Sequence, residues 1–179
     1  MKKVDRGGFS DYAHSKLAVG DTLEVMPPDG RFTFKRADEQ KNIAAFAAGS
    51  GITPIMSIAK TALDSNSKNT FVLVYGNKSY DETMFYKDLV KLELEYANRF
   101  FVYFTNSETM EDNALFGRID TSTVNYALKN KHNNISFDAY YLCGPEAMIH
   151  LVTDTLLEND VPKDKIHFEL FTATEIKDE

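Results

Sequence analysis

Short uncharged runs alternate with amphipathic stretches along most of this chain. Residues 43–48 (Ile-Ala-Ala-Phe-Ala-Ala) carry no charge and read as a strand buried on both faces. Residues 70–75, 100–104, 139–143 and 166–170 are further strand candidates. Helices are predicted over 54–63, 82–97, 121–129 and 146–159. Apolar strands alternating with amphipathic helices predict an α/β fold, a five-stranded parallel doubly wound sheet with right-handed crossovers.

Residues 1–40 depart from that pattern. Short strands are expected at 23–26 and 32–34, around the turn Pro27-Pro28-Asp29-Gly30, after a short helix at 10–17. So few strands do not make a stable sheet alone, so they either pack on the α/β domain or belong to a β-barrel. The polar stretch 36–41 sets the expected boundary, giving a domain at 1–37 and another at 38–179.

The chemistry concentrates where the first uncharged run breaks, at Gly49-Ser50-Gly51-Ile52-Thr53-Pro54. Two glycines permit a tight turn and close approach of backbone to a ligand. Thr53 suits a helix N-cap and Pro54 the first helical position, whose missing N–H costs nothing there. A helix start of this kind favours a phosphate or pyrophosphate. No Gly-Lys-Ser/Thr follows, so a kinase-type phosphate loop is not indicated. A second turn, Cys143-Gly144-Pro145, also ends a strand. In an open α/β sheet both turns belong on the rim at the carboxyl ends of the strands, where ligands bind.

Composition narrows the classes. With 179 residues, 43% hydrophobic and 26% charged, the chain is that of an ordinary globular protein. A net charge of −7 without a basic stripe argues against nucleic acid as a partner. The lone Cys143 excludes an internal disulfide and a four-cysteine zinc or iron–sulfur site. His14, His132, His150 and His167 lack metal-ligand spacing, so no metal is expected. No apolar segment approaches the roughly 20 residues that span a bilayer, and no signal-peptide core follows Met1; a cytoplasmic protein without a membrane partner is expected. Asp81-Glu82 and the acidic stretch 108–112 read as solvated faces.

Four stretches together resemble the ferredoxin-NADP reductase superfamily, and within it the reductases that feed multicomponent oxygenases of the phenylacetate-degradation type. They are Ala48-Gly49-Ser50-Gly51-Ile52-Thr53-Pro54-Ile55-Met56-Ser57, Tyr75-Gly76-Asn77-Lys78, Tyr141-Leu142-Cys143-Gly144-Pro145-Glu146-Ala147-Met148 and Ile166-His167-Phe168-Glu169-Leu170-Phe171. Gly7-Gly8-Phe9-Ser10, with Leu17 and Val19-Gly20-Asp21, resembles the last part of that family's flavin-binding barrel.

The resemblance implies NADH or NADPH and FAD as cofactors. It implies that residues 49–54 carry the pyrophosphate, with Thr53 near the nicotinamide and Cys143 beside its C4 atom. A small core residue is the plain reading of Cys143. Gly144, Pro145, Glu146 and Met148 would complete the second turn, Glu146 also suiting the helix dipole and Met148 the core. Tyr75, Gly76, Asn77 and Lys78 would lie near the adenosine ribose. Lys78 is a candidate for a 2′-phosphate, and the choice between NADH and NADPH stays open. Glu169 and Phe171 would border the flavin, and Gly7, Gly8, Phe9 and Ser10 would hold its pyrophosphate.

The family's Arg-x-Tyr-Ser flavin motif does not occur in this sequence, nor does the cysteine-rich ferredoxin domain that follows Phe171 in these reductases. The expected chain is therefore the nucleotide half of a reductase with a flavin site only partly present. Its partners would be a ferredoxin-type iron–sulfur domain or protein and an oxygenase component. A non-catalytic nucleotide-binding module is the alternative.

Overall fold

Strand β1 (Asn42–Ala48) is followed along the chain by β2 (Thr70–Asn77), β3 (Phe100–Asn106), β4 (Ala114–Phe116), β5 (Ala139–Gly144) and β6 (Ile166–Leu170). In the computed structural model these form one parallel sheet in the order β4-β3-β2-β1-β5-β6. The structure describes residues 8–36 and 38–170.

The five expected strands all form. A sixth, β4, was not foreseen. It is three residues long and follows a polar loop, so it carries too little apolar pattern to stand out; its pairing with β3 (Phe104 with Ala114, Asn106 with Phe116) defines it.

Alternation along the strands builds two cores. On one face Ile43, Ala45 and Ala47 join Phe71, Leu73, Tyr75, Tyr141 and Cys143 beneath helices α2 (Ile52–Ser65) and α3 (Tyr86–Glu95). On the other, Ala44, Phe46, Val72, Val74 and Leu142 pack under α4 (Thr121–Asn125) and α5 (Glu146–Glu158), which follow the short helix α1 (Gly8–Ser15) in chain order. Both faces of the central strand are thus covered, which explains its uncharged sequence. Alanines at Ala44, Ala45 and Ala47, all fully buried, leave room for the helices to pack against the sheet.

Several helix bounds shift. The helix expected over 82–97 is shorter, Tyr86–Glu95, because residues 79–83 close a turn of their own: the Thr83 hydroxyl donates to the Ser79 carbonyl at 2.9 Å and the Thr83 amide to the Tyr80 carbonyl at 3.0 Å. Helix α4 is capped by Asp120, which accepts from the Thr123 amide (2.7 Å) and hydroxyl (2.8 Å), and continues as a π-helical turn over Tyr126–Lys131.

The chain divides into two compact units, one ending at Arg31 and one beginning at Phe32. In the first, α1 is followed by a turn in which the Ala18 amide donates to Asp21 Oδ2 at 2.8 Å. The strand expected at 23–26 does not form: Val25 and Met26 are exposed and no ladder pairs them. Residues 32–34 are not a strand either. They act as an apolar strap within the second unit, with the Phe32 ring meeting Tyr141 edge-on at 5.5 Å and Phe34 against the same core. Isolated strands lack hydrogen-bond partners, and burial of the phenylalanines decides the local structure instead. Among the described residues no helix is long and apolar enough to cross a membrane.

Candidate functional site

Strand order reverses between β1 and β5, where Ala47 pairs with Cys143. The turns leaving these two strands therefore flank the crevice at which an open α/β sheet binds ligands. The first is a 3-10 turn, Gly49–Gly51, running directly into α2. Gly49 has φ +53°, a left-handed conformation that glycine adopts without strain. Its carbonyl accepts a 2.9 Å hydrogen bond from the Tyr75 hydroxyl.

The cap expected at Thr53 is displaced. The 3-10 turn already winds the backbone, so Gly51 is the N-cap and Ile52 the first α-helical residue. The Thr53 hydroxyl instead donates back to the Ser50 carbonyl at 3.0 Å, and Pro54 remains inside the first turn, where no N–H is missed. The helical run thus opens at Gly49–Gly51, and the amides without helical acceptors belong there.

Gly51 is closely packed against the second turn. A Cβ at this position would stand 2.1 Å from the Cys143 carbonyl oxygen and 2.5 Å from its carbon. The missing side chain lets the two turns touch. Gly144 is similarly enclosed: a Cβ there would meet Met148 Cε at 3.1 Å and Ala48 at 3.2 Å.

The second turn ends at Pro145, the N-cap of α5. Ser50, Thr53, Pro145 and Glu146 are exposed on this rim. The two helix starts differ in charge. Helix α5 carries Glu146 in its first turn, with His150 Nε2 3.8 Å from the carboxylate; α2 has no acidic residue in its first turn. An anion is therefore favoured at α2 and opposed at α5.

Cys143 is fully buried, and its side chain belongs to the core under α2. Burial, reinforced by the Glu169 carboxylate on the neighbouring strand, pushes the thiol up to about 12. A thiol so raised stays protonated at neutral pH. Met148 is buried in the opposite core. Tyr75 is fully buried too, its hydroxyl raised to about 12 chiefly by burial, and acts on the rim through its bond to Gly49. Gly76 leaves space for Ile119, whose side chain would lie 3.3 Å from a Cβ.

At the ends of β2 and β3, Asn77 and Asn106 pair in register. Asn77 Nδ2 and Asn106 Oδ1 are buried without hydrogen-bond partners within the protein. Exposed Lys78 points its Nζ to within 3.7 Å of Glu108. Beside Asn106 lies an open cavity of about 210 Å³, lined by Tyr80, Thr83, Tyr86, Glu111 and Asp112 among others. Sequence reading missed Asn106 and this cavity. An asparagine closing an aromatic strand, before the acidic stretch 108–112, was the available signal.

Glu169 is half-buried on β6. Gly8, Phe9 and Ser10 lie in the first turn of α1. Gly7 and Phe171 fall outside the described residues. Among the described residues, no three His, Cys, Asp or Glu side chains group as a metal site.

The family profile of the oxidoreductase NAD-binding domain matches residues 46–154. A component of the 1,2-phenylacetyl-CoA epoxidase of Escherichia coli K12 is 35% identical over 175 residues, covering 97% of this chain and 49% of that protein. The ferredoxin reductase component of 3-ketosteroid-9-alpha-monooxygenase from Rhodococcus rhodochrous is 31% identical, covering 97% of this chain and 46% of that protein. Among solved structures, the CS-b5R domains of human Ncb5or in the NAD+ form superpose with a TM-score of 0.80 at 27% identity, covering 94% of this chain and 47% of that one. The chain spans about half the length of the curated relatives it matches.

Proposed function

Because the chain belongs to the oxidoreductase NAD-binding domain family of the ferredoxin reductase superfamily, we propose that it is the NAD(P)H-binding part of a flavin-dependent reductase. In this reading electrons pass from NAD(P)H through FAD to an iron–sulfur carrier serving a multicomponent oxygenase, as the names of its relatives suggest. The carrying observation is the unopposed helix start at Gly49–Gly51, set at the point where strand order reverses.

The residues present fit a pyridine dinucleotide. Left-handed Gly49 shapes the turn, and exposed Ser50 and Thr53 flank it. The pyrophosphate takes the amides of Gly49–Gly51, whose positions Tyr75 fixes from beneath. Thr53 and Gly144–Pro145 border the nicotinamide, and Glu146 disfavours a second anion at α5. Cys143 shapes this border through the peptide that Gly51 packs against, its neutral thiol staying in the core.

For flavin the fit is partial. Gly8 has open space around it, and the first turn of α1 presents Gly8, Phe9 and Ser10. Residues 1–37 are proposed as the end of a flavin-binding barrel, with Glu169 and Phe171 at the ring. Bound flavin supplies the conversion of a hydride into single electrons. The protein's contribution is to hold the nicotinamide in place and exclude water around it. The partners proposed are a ferredoxin-type domain or protein and an oxygenase component, with a cytoplasmic setting.

A non-catalytic nucleotide-binding module is the second reading, favoured by the lack of any strand ladder among described residues 8–36. An absorbance spectrum of the purified chain with an NADH- and NADPH-driven dye-reduction assay separates them. A yellow, flavin-loaded preparation that turns over supports the reductase. A colourless one that binds nucleotide without turnover supports the module, and one that binds no nucleotide removes both.

A further inference from the structure

The outer edge of β3 is only partly covered. β4 pairs with it from Phe104 onward, and among the described residues no strand lies outside residues 100–103. That unpaired stretch opens the run Phe-Phe-Val-Tyr-Phe-Thr at 100–105, which holds no charge, no proline and no glycine. Six β-favouring residues of this kind on an open edge are a template for another strand. An open cavity of about 250 Å³ lies alongside, lined by Val102, Tyr103, Asp112, Leu115 and Tyr126 among others.

The outward amides of this stretch are nonetheless taken. Phe100 donates to the Tyr96 carbonyl at 2.9 Å, and Val102 donates to Glu93 Oε1 at 2.9 Å. Glu93 is half-buried and reaches the edge from α3. Its carboxylate oxygen fills the place that the carbonyl of an added strand would take. It also sets a negative charge at the edge, where a second copy would bring the same charge. Lys131 lies over the Tyr126 ring at 5.4 Å, so the cavity wall carries charge as well.

We propose that Glu93 closes the β3 edge and that, without it, a second copy of this chain pairs there through its own β3. Charge argues for that occupant. The chain as a whole carries −7, and the run at 100–105 is a part that two copies can bring together without charge of its own. With Glu93 in place the approach sets carboxylate against carboxylate; without it, the Val102 amide is left seeking an acceptor. The same surface serves on both copies, so the contact closes as a two-fold dimer.

Sedimentation velocity of the purified chain over a concentration series tests this, beside far-ultraviolet circular dichroism. Glu93→Ala and Glu93→Met both remove the acceptor and keep a good helix former. Each should stay folded and self-associate at least about tenfold more tightly than wild type. Val102→Pro deletes the outward N–H and leaves the ladder to β2 intact; added to Glu93→Ala, it should return self-association to the wild-type level. A folded Glu93 variant that associates no more tightly than wild type overturns the proposal. Association that survives Val102→Pro also overturns it, because the contact then lies elsewhere. Loss of fold in both single variants makes Glu93 a structural residue and overturns it too.

Discussion

Gly51 stands against the Cys143–Gly144 peptide so closely that a Cβ on it would lie 2.1 Å from the Cys143 carbonyl oxygen. The two turns flanking the crevice are therefore one packed unit. Gly51→Ala should force them apart and lower stability by about 3 kcal/mol, the upper range for overpacking where the obstacle is backbone. Gly49 differs, since a Cβ there meets open space and the cost is only that of φ +53°. Gly49→Ala should cost about 1 kcal/mol and impair nucleotide binding in a folded protein. Urea unfolding of both variants, beside NAD+ titration, checks the contrast.

Tyr75 supports the same turn from below. Replacing it with phenylalanine removes the 2.9 Å bond to the Gly49 carbonyl and leaves the core ring in place. Stability should fall by about 1 kcal/mol. Nucleotide affinity should fall several-fold, measured by titration on the folded variant. Unchanged affinity would reduce Tyr75 to a core residue.

The Cys143 thiol should resist Ellman's reagent at pH 7.5 in the native protein and react on unfolding in urea, because burial holds it near 12. The sign of the linkage follows. A group whose pKa rises on folding, here from 9.0, holds its proton more tightly in the native state. Its contribution to stability is complete below pH 9 and is lost as pH climbs through 12. Tyr75, raised from 10.0 to about 12, adds to the loss in the upper part of that window. Thermal melts from pH 8 to 11 should show a falling Tm, and Cys143→Ala should flatten the lower part of that fall.

Asp120 caps α4. Its carboxyl sits below the usual carboxylate range because the Thr123 amide, then the Thr123 hydroxyl, donates to it. Asp120→Ala should cost about 1 kcal/mol with nucleotide affinity unchanged. The wild-type contribution is present above the ordinary value of 3.8 and disappears as pH falls through the lowered one, so the gap between the two proteins should close in acid.

Much of the sheet was legible because buried parallel strands need uncharged sequence. Residues 43–48, 70–75 and 139–143 announce themselves that way, and Gly49–Gly51 marks the turn between strand and helix. The strands expected at 23–26 and 32–34 were not legible in the same sense. Their apolar residues show a need for burial, and Phe32 meets that need against Tyr141 without any ladder. β4 escaped notice because three residues cannot carry a pattern.

At the site, the types of residue around the glycine turn were readable, and their division of labour was not. Local sequence determined that a glycine turn follows the central strand and that a helix begins just after it, since both depend on backbone preferences within a few residues. Only the tertiary structure decided that Gly51 is small for Cys143, that Tyr75 reaches Gly49 from the next strand, and that Lys78 stands beside Glu108. Each of those relations joins positions 26 to 92 residues apart, brought together by strand order. Pairings between distant strands arise from burial summed over the whole sheet, which no short window of sequence contains.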